Sequence, residues 1–263
     1  MATSNNKKVG KIKEFFDKTN QQDNIEYNQQ NSITISMTVC IAALSNNGKK
    51  AILVADKLVT TTGILPYQTE MAAEKIIKIN DNVSVMYCGG IADASIIIEN
   101  SIKNIGENKW VTDIAKLIND KHLEYLLEIL TRLQLTTRGI KDINEFYKEY
   151  TLKLDAVTKT TIDTVLTTHV LNSHTQFIVC GKENNGDYKI YYLGDNPRLV
   201  PNLMMSGYTT IGSGRGYADF SIIQSQYNKS LQLEKVKEIL IKAKKEAEKD
   251  RDVGNNEDIL VME

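Results

Sequence analysis

Met37-Thr-Val-Cys-Ile-Ala-Ala-Leu44, followed after Ser45-Asn-Asn-Gly-Lys49 by Lys50-Ala-Ile-Leu-Val-Ala-Asp56, is the stretch on which the reading of this chain turns. Two short apolar segments joined by a polar, glycine-containing connection read as a β-hairpin. Thr38 stands at its head and Asp56 at its foot. A threonine in that place gains chemistry only if the chain before it is absent. Its α-amino group, with an ordinary pKa of about 8, then takes the proton from its own hydroxyl, and one residue is both nucleophile and base.

Upstream, Lys11 to Lys18 has the spacing of a short amphipathic helix, and Thr19 to Ser32 is rich in Asn and Gln with few core-forming residues. Such composition predicts a mobile extension or propeptide over residues 1–36, not necessarily kept in the mature protein, with the folded domain spanning 37–263. Downstream, Lys75-Ile-Ile-Lys-Ile79 and Asn82-Val-Ser-Val-Met-Tyr-Cys88 predict strands separated by the turn residues Asn80-Asp81. Gly89-Gly90 ends the second of these, and a helix starts in Ala92–Glu99. Leu and Ile recur at three- and four-residue spacing from Val111 to Leu135, the clearest of two or three helices predicted before Thr168. The β pattern returns in Gln176–Gly181 and Tyr188–Leu193 around a turn at Glu183–Asp187. Next come Gly207–Ile211, the loop Gly212-Ser-Gly-Arg-Gly216, a helix from Tyr217, a helix over Leu233–Lys249 and a last strand over Asp258–Met262. Strands, helices, strands, helices and a strand make an α+β order, with two helical layers available to cover antiparallel sheets.

The chain has 263 residues, 41% of them hydrophobic and 25% charged, with a formal net charge of −1. Those proportions suit a globular domain and give no basic surface for nucleic acid. No apolar run approaches the roughly 20 residues that span a bilayer, and the N-terminus has no signal-like core. Cys40, Cys88 and Cys180 each sit in an apolar strand-like run, where a reduced core thiol belongs. Their separation, and that of His122, His169 and His174, offers no metal spacing. A cytoplasmic protein is the economical expectation. The glycine loop at 212–216 lacks a following Gly-Lys-Ser/Thr and does not open a βαβ unit, which argues against a phosphate cradle.

Several elements together resemble the 20S proteasome β-subunit pattern. They are Thr38-Val-Cys-Ile-Ala, Ala55-Asp56, Glu74-Lys75-Ile76 and Cys88-Gly-Gly-Ile-Ala-Asp93, then Phe177–Gly181, Tyr191–Leu193, Ile211-Gly-Ser-Gly214 and the closing Arg251-Asp-Val-Gly-Asn-Asn-Glu-Asp-Ile-Leu260. The threonine-cysteine opening is especially similar to that of the bacterial proteasome homologues called Anbu. The resemblance covers roughly 37–103 and 175–263. It implies the four-layer αββα sandwich of N-terminal-nucleophile (Ntn) hydrolases, two antiparallel sheets between helical layers. It implies Thr38 as nucleophile, Lys75 beside it, Asp56 pairing with Lys75, and the Gly89 N–H as oxyanion donor. Ser213 and Asp252 match the residues that orient the terminal amine, with Asp250 a competing match for the second. Val59, Ala73, Tyr87 and Ile91 would line a mainly apolar substrate pocket. No cofactor or metal is implied. The partners implied are a peptide or protein substrate and a homo-oligomeric ring, with a regulatory ATPase or adaptor left open, and no nucleic acid or membrane.

Three departures bear on function. Thr38 follows Met37 rather than the glycine of self-processing subunits, which fits an initiator methionine removed before a small second residue. Leu58 stands where the family carries an arginine two residues after the aspartate. The helical region at about 104–173 is longer than the family's. The expected activity is threonine-type peptide hydrolysis after loss of residues 1–37. The alternatives are an inactive proteasome-like ring or scaffold protein that keeps its extension, and an Ntn amidase or acyl-transferase acting on a non-peptide substrate.

Overall fold

The computed structural model describes residues 38–61, 67–70, 74–106, 110–148, 154–171, 175–194 and 201–263. The expected extension 1–36 and its helix, Met37, Ala73 and His174 lie outside the described residues.

The opening hairpin forms as its sequence predicts. Strands β1 (Cys40–Ser45) and β2 (Lys50–Asp56) pair antiparallel, with Cys40 opposite Ala55 and Ser45 opposite Lys50, around a tight turn over Asn46–Gly48. A second, short hairpin that the sequence pattern does not announce follows directly: β3 (Leu58–Thr61) and β4 (Tyr67–Glu70). Next come β5 (Ile76–Lys78) and β6 (Val83–Cys88). Two long helices follow, α1 (Ile91–Lys103) and α2 (Val111–Leu130), the latter running on into a wider turn over Thr131–Leu135. The short helix α3 (Ile143–Lys148) and α4 (Ala156–Leu171) complete the enlarged helical region. Then β7 (Gln176–Lys182), β8 (Tyr188–Leu193), β9 (Asn202–Leu203) and β10 (Tyr208–Ile211) precede α5 (Arg215–Gln224), α6 (Leu233–Ala247) and β11 (Glu257–Met262). Helix α5 begins two residues before the expected Tyr217, and α6 ends two before the expected Lys249.

Two antiparallel sheets result, one ordered β10-β1-β2-β11 and the other β5-β6-β7-β8-β9. The strand period of two sorts their side chains into three apolar layers. Cys40, Ala42, Leu44, Leu53 and Ala55 of the first sheet meet Met86, Cys88, Ile178, Cys180 and Ile190 of the second. On the outer face of the first sheet, Val39, Ile41, Ala43, Ile52 and Val54 pack under α5 and α6, against Ala218, Ile222, Val236, Ile239 and Leu240. On the outer face of the second, Val83, Val85, Phe177 and Val179 pack under α1 and α2, against Ile97, Ile98, Ile114 and Ile118. Helices, sheet, sheet, helices: this is the α+β sandwich of the Ntn type. A fourth cluster, Leu130, Leu135, Ile140, Phe146 and Ile162, belongs to the helical region alone. Among the described residues no helix is long and apolar enough to cross a membrane.

Candidate active site

Residue 38 has the parity of Cys40 and Ala42, the residues of β1 that face the second sheet. Lys75 precedes β5, the edge strand of that second sheet. Asp56 closes β2, with its N–H on the Val39 carbonyl at 3.2 Å and Glu257 of β11 opposite it. Three positions distant in sequence thus converge at one end of the sandwich, and all are buried: Thr38 is 3% exposed, Asp56 0% and Lys75 5%.

Their polar groups account for one another. Lys75 Nζ donates to Thr38 Oγ1 at 2.5 Å, to Asp56 Oδ1 at 2.9 Å and to the Leu58 carbonyl at 2.6 Å. An ammonium has three N–H donors, and each has an acceptor here. Thr38 Oγ1, accepting from Lys75, donates its own proton to Asp56 Oδ1. The same Oδ1 accepts from the Val39 N–H at 2.9 Å, and Oδ2 accepts from the N–H groups of Leu58 and Gly254, each at 3.1 Å. Five donors around one carboxylate meet the condition under which a buried ion pair is tolerated, that the remaining lone pairs be satisfied.

The backbone of Thr38 is held from the opposite side by the loop after β10. The Thr38 N–H lies 3.3 Å from Ser213 Oγ, and the Gly214 N–H donates to the Thr38 carbonyl at 3.3 Å. Gly212 has φ +98°, and a Cβ there would sit 2.2 Å from the Thr38 carbonyl oxygen, so only glycine fits. At the other wall, Gly89 leaves β6 with φ 108°, a conformation open to glycine that turns the chain toward α1. The end of β6 lies against β1, where Cys40 Sγ donates to the Tyr87 carbonyl at 3.4 Å. Burial raises the Cys40 thiol well above its ordinary pKa, with Lys75 pulling partly the other way. It therefore stays protonated near neutrality and leaves the threonine hydroxyl without a competing thiolate.

The turn after α6 lies against the same loop, because a Cβ on Gly214 would meet the Val253 side chain at 2.6 Å. Asp252 is in that turn with its N–H on Asp250 Oδ1 at 3.1 Å, so the Asp250 carboxylate serves the turn itself. Among the expected pocket residues, Val59 is half-buried on β3 and Ile91 is half-buried at the start of α1. Tyr87 is a correction. It shares the face of β6 with Val83 and Val85, and its ring is buried in the core beneath α1 and α2 rather than in a pocket wall. Burial pushes its hydroxyl above the ordinary phenol range.

Sequence reading missed the backbone contributors. The Leu58 carbonyl, the Gly254 N–H and the tight seat of Gly212 all belong to main chain, which side-chain spacing does not report. Leu58 stood out only as a missing arginine, and the structure gives it a different part, as the third acceptor of Lys75.

Residues 37–131 match the family model described as proteasome subunit. That segment holds Thr38, Asp56, Lys75 and Gly89. No curated protein matches the chain.

Proposed function

We propose that the protein, whose residues 37–131 match the proteasome-subunit family model, hydrolyses peptide bonds with Thr38 as an N-terminal nucleophile, after residues 1–37 are removed. The observation that carries this reading is the buried contact of Thr38 Oγ1 with both Lys75 Nζ and Asp56 Oδ1. A hydroxyl that accepts from an ammonium already has its positive partner in place when the oxygen becomes alkoxide-like on attack. Asp56 holds Lys75 there. The freed nitrogen of Thr38, close to Ser213 Oγ, receives the proton through a water, and Ser213 with Asp252 orients it. The Gly89 N–H takes the developing oxyanion. The oxyanion collapses to an acyl ester on Oγ1 as the peptide C–N bond breaks and the leaving amine takes the proton held on the Thr38 nitrogen; a water activated by the freed amine then hydrolyses the ester and restores the threonine. Val59, Ala73 and Ile91 are the proposed pocket residues.

The same reading includes assembly into a homo-oligomeric ring. Tyr217, Phe220 and Ile223, spaced by three along α5, are 47%, 62% and 65% exposed, and a contiguous apolar stripe of that kind supports association. A reducing, cytoplasmic location is supported by the three buried free thiols.

The test is an electrophile that must bond both the hydroxyl and the free amine of one residue. A single adduct on Thr38, absent in Thr38→Ala, supports the peptidase. No adduct on a folded protein with its extension still attached favours the inactive ring or scaffold reading.

A further inference from the structure

Lys244, on α6, is 0% exposed, yet the reaction described above makes no use of it. It lies on the apolar face of the helix, beside Leu240, Ala243 and Ala247, which all pack under the first sheet. Its ammonium donates to the Asn255 carbonyl at 2.6 Å and to Glu248 Oε1 at 2.7 Å, with Glu257 Oε2 at 3.3 Å. A methionine or leucine would fill such a place without the cost of desolvating a charge, so retaining a buried ion pair stabilises little by itself. What the charge does supply is a fixed position for one backbone carbonyl.

That carbonyl belongs to the residue after Gly254, whose N–H donates to Asp56 Oδ2. On the far side, the Lys57 N–H donates to the Asn256 carbonyl at 3.2 Å, and Glu257 enters the sheet opposite Asp56. The three residues 254–256 therefore bridge two anchors, Lys244 beneath and Asp56–Lys57 above. A peptide so short has little slack. Freeing the Asn255 carbonyl lets the Gly254 N–H drift from Asp56, and Asp56 is what holds Lys75 at the Thr38 hydroxyl.

We propose that Lys244 is a positioning residue for the catalytic cluster, acting through the Asn255 carbonyl and the Gly254 N–H on Asp56. The inference rests on Thr38 being the nucleophile, and its test separates the two claims. The protein expressed in its own host, as processed there, is compared with Lys244→Met, with the milder Lys244→Gln in case the first does not fold, and with Ile239→Val. The last variant loosens the same helix without touching the clamp. Backbone hydrogen exchange is read over 254–258, and the labelling of Thr38 is resolved into its maximal rate and its half-saturating concentration.

Exchange over 254–258 is expected to rise in both Lys244 variants and not in Ile239→Val. The maximal labelling rate should fall about 10-fold or more, because small displacements at reacting atoms are costly. Half-saturation should stay within about twofold, as the binding surface is untouched. Unchanged exchange overturns the clamp. Raised exchange with the labelling rate of the Ile239→Val control overturns the positioning role. A wild-type protein that does not label overturns the nucleophile reading and the catalytic role with it, and the exchange comparison then decides the clamp alone.

Discussion

Lys75 has three donors and three acceptors, one of them the hydroxyl of the proposed nucleophile. That closed arrangement makes its removal expensive for more than chemistry. Lys75→Met leaves Asp56 as a buried carboxylate without its counter-charge, a change that costs about 3–5 kcal/mol where a buried pair is broken from one side. Denaturant unfolding should show a loss of that size, and Thr38 labelling should vanish even under conditions where the variant is folded. The cysteines give a second check at this scale. Burial raises Cys40 and Cys180 above the ordinary thiol pKa, and all three thiols are buried. A raised thiol pKa means less thiolate at any given pH. Iodoacetamide at pH 8 should therefore leave the native protein unmodified and alkylate three cysteines once it is unfolded.

Among the elements, the hairpin of β1 and β2 was legible because its apolar runs and its Asn-Asn-Gly turn agree with one another. The strands β6, β7 and β8, with helices α1 and α2, were legible for the same reason. The β3–β4 hairpin was not. Leu58-Val-Thr-Thr61 and Tyr67-Gln-Thr-Glu70 are short and partly polar, so neither carries a clear strand alternation by itself. Helix α5 starts at Arg215 although Gly216 sits in its first turn, where propensity argues for a loop. Lys244 was illegible for a different reason. In Lys242-Ala-Lys-Lys-Glu-Ala-Glu-Lys249 it reads as one more solvated charge, and only packing turns it inward. The site followed the same division. Thr38, Asp56 and Lys75, singled out as side chains, do meet, whereas Leu58, Gly212 and Gly254 enter the cluster through main chain, and Gly254 is distant in sequence from the Asp56 it contacts.

Two predictions belong to elements. Gly212→Ala puts a side chain at φ +98° and against the Thr38 carbonyl. Conformational strain alone costs about 1–3 kcal/mol, so the thermal midpoint should drop and labelling of Thr38 should slow. Phe146→Ala removes a fully buried ring from the cluster that the helical region keeps to itself. A loss of about 3–5 kcal/mol is expected for such a truncation, concentrated in residues 130–162. Hydrogen exchange should register it there while β1, β2 and the Thr38 labelling rate stay unchanged.

For the whole molecule, the four layers bring Thr38, Asp56 and Lys75 together at one end of the sandwich. In the proposed reaction the sandwich supplies rigidity and removal of residues 1–37 supplies the base, so the two have separate requirements. A well-folded protein with residues 1–37 attached has the nucleophile, the lysine and the aspartate in register but no amine. The ring expectation belongs to this scale as well. Native mass measurement should give a multiple of the chain mass, and a single-chain mass would remove the ring from the account. The measurement that reaches the central claim most directly is intact-mass and N-terminal analysis of the protein purified from its own host. A mature chain that begins at Thr38 is the predicted result; a chain that keeps residues ahead of Thr38 would contradict it, leaving that threonine a strand residue with no free amine.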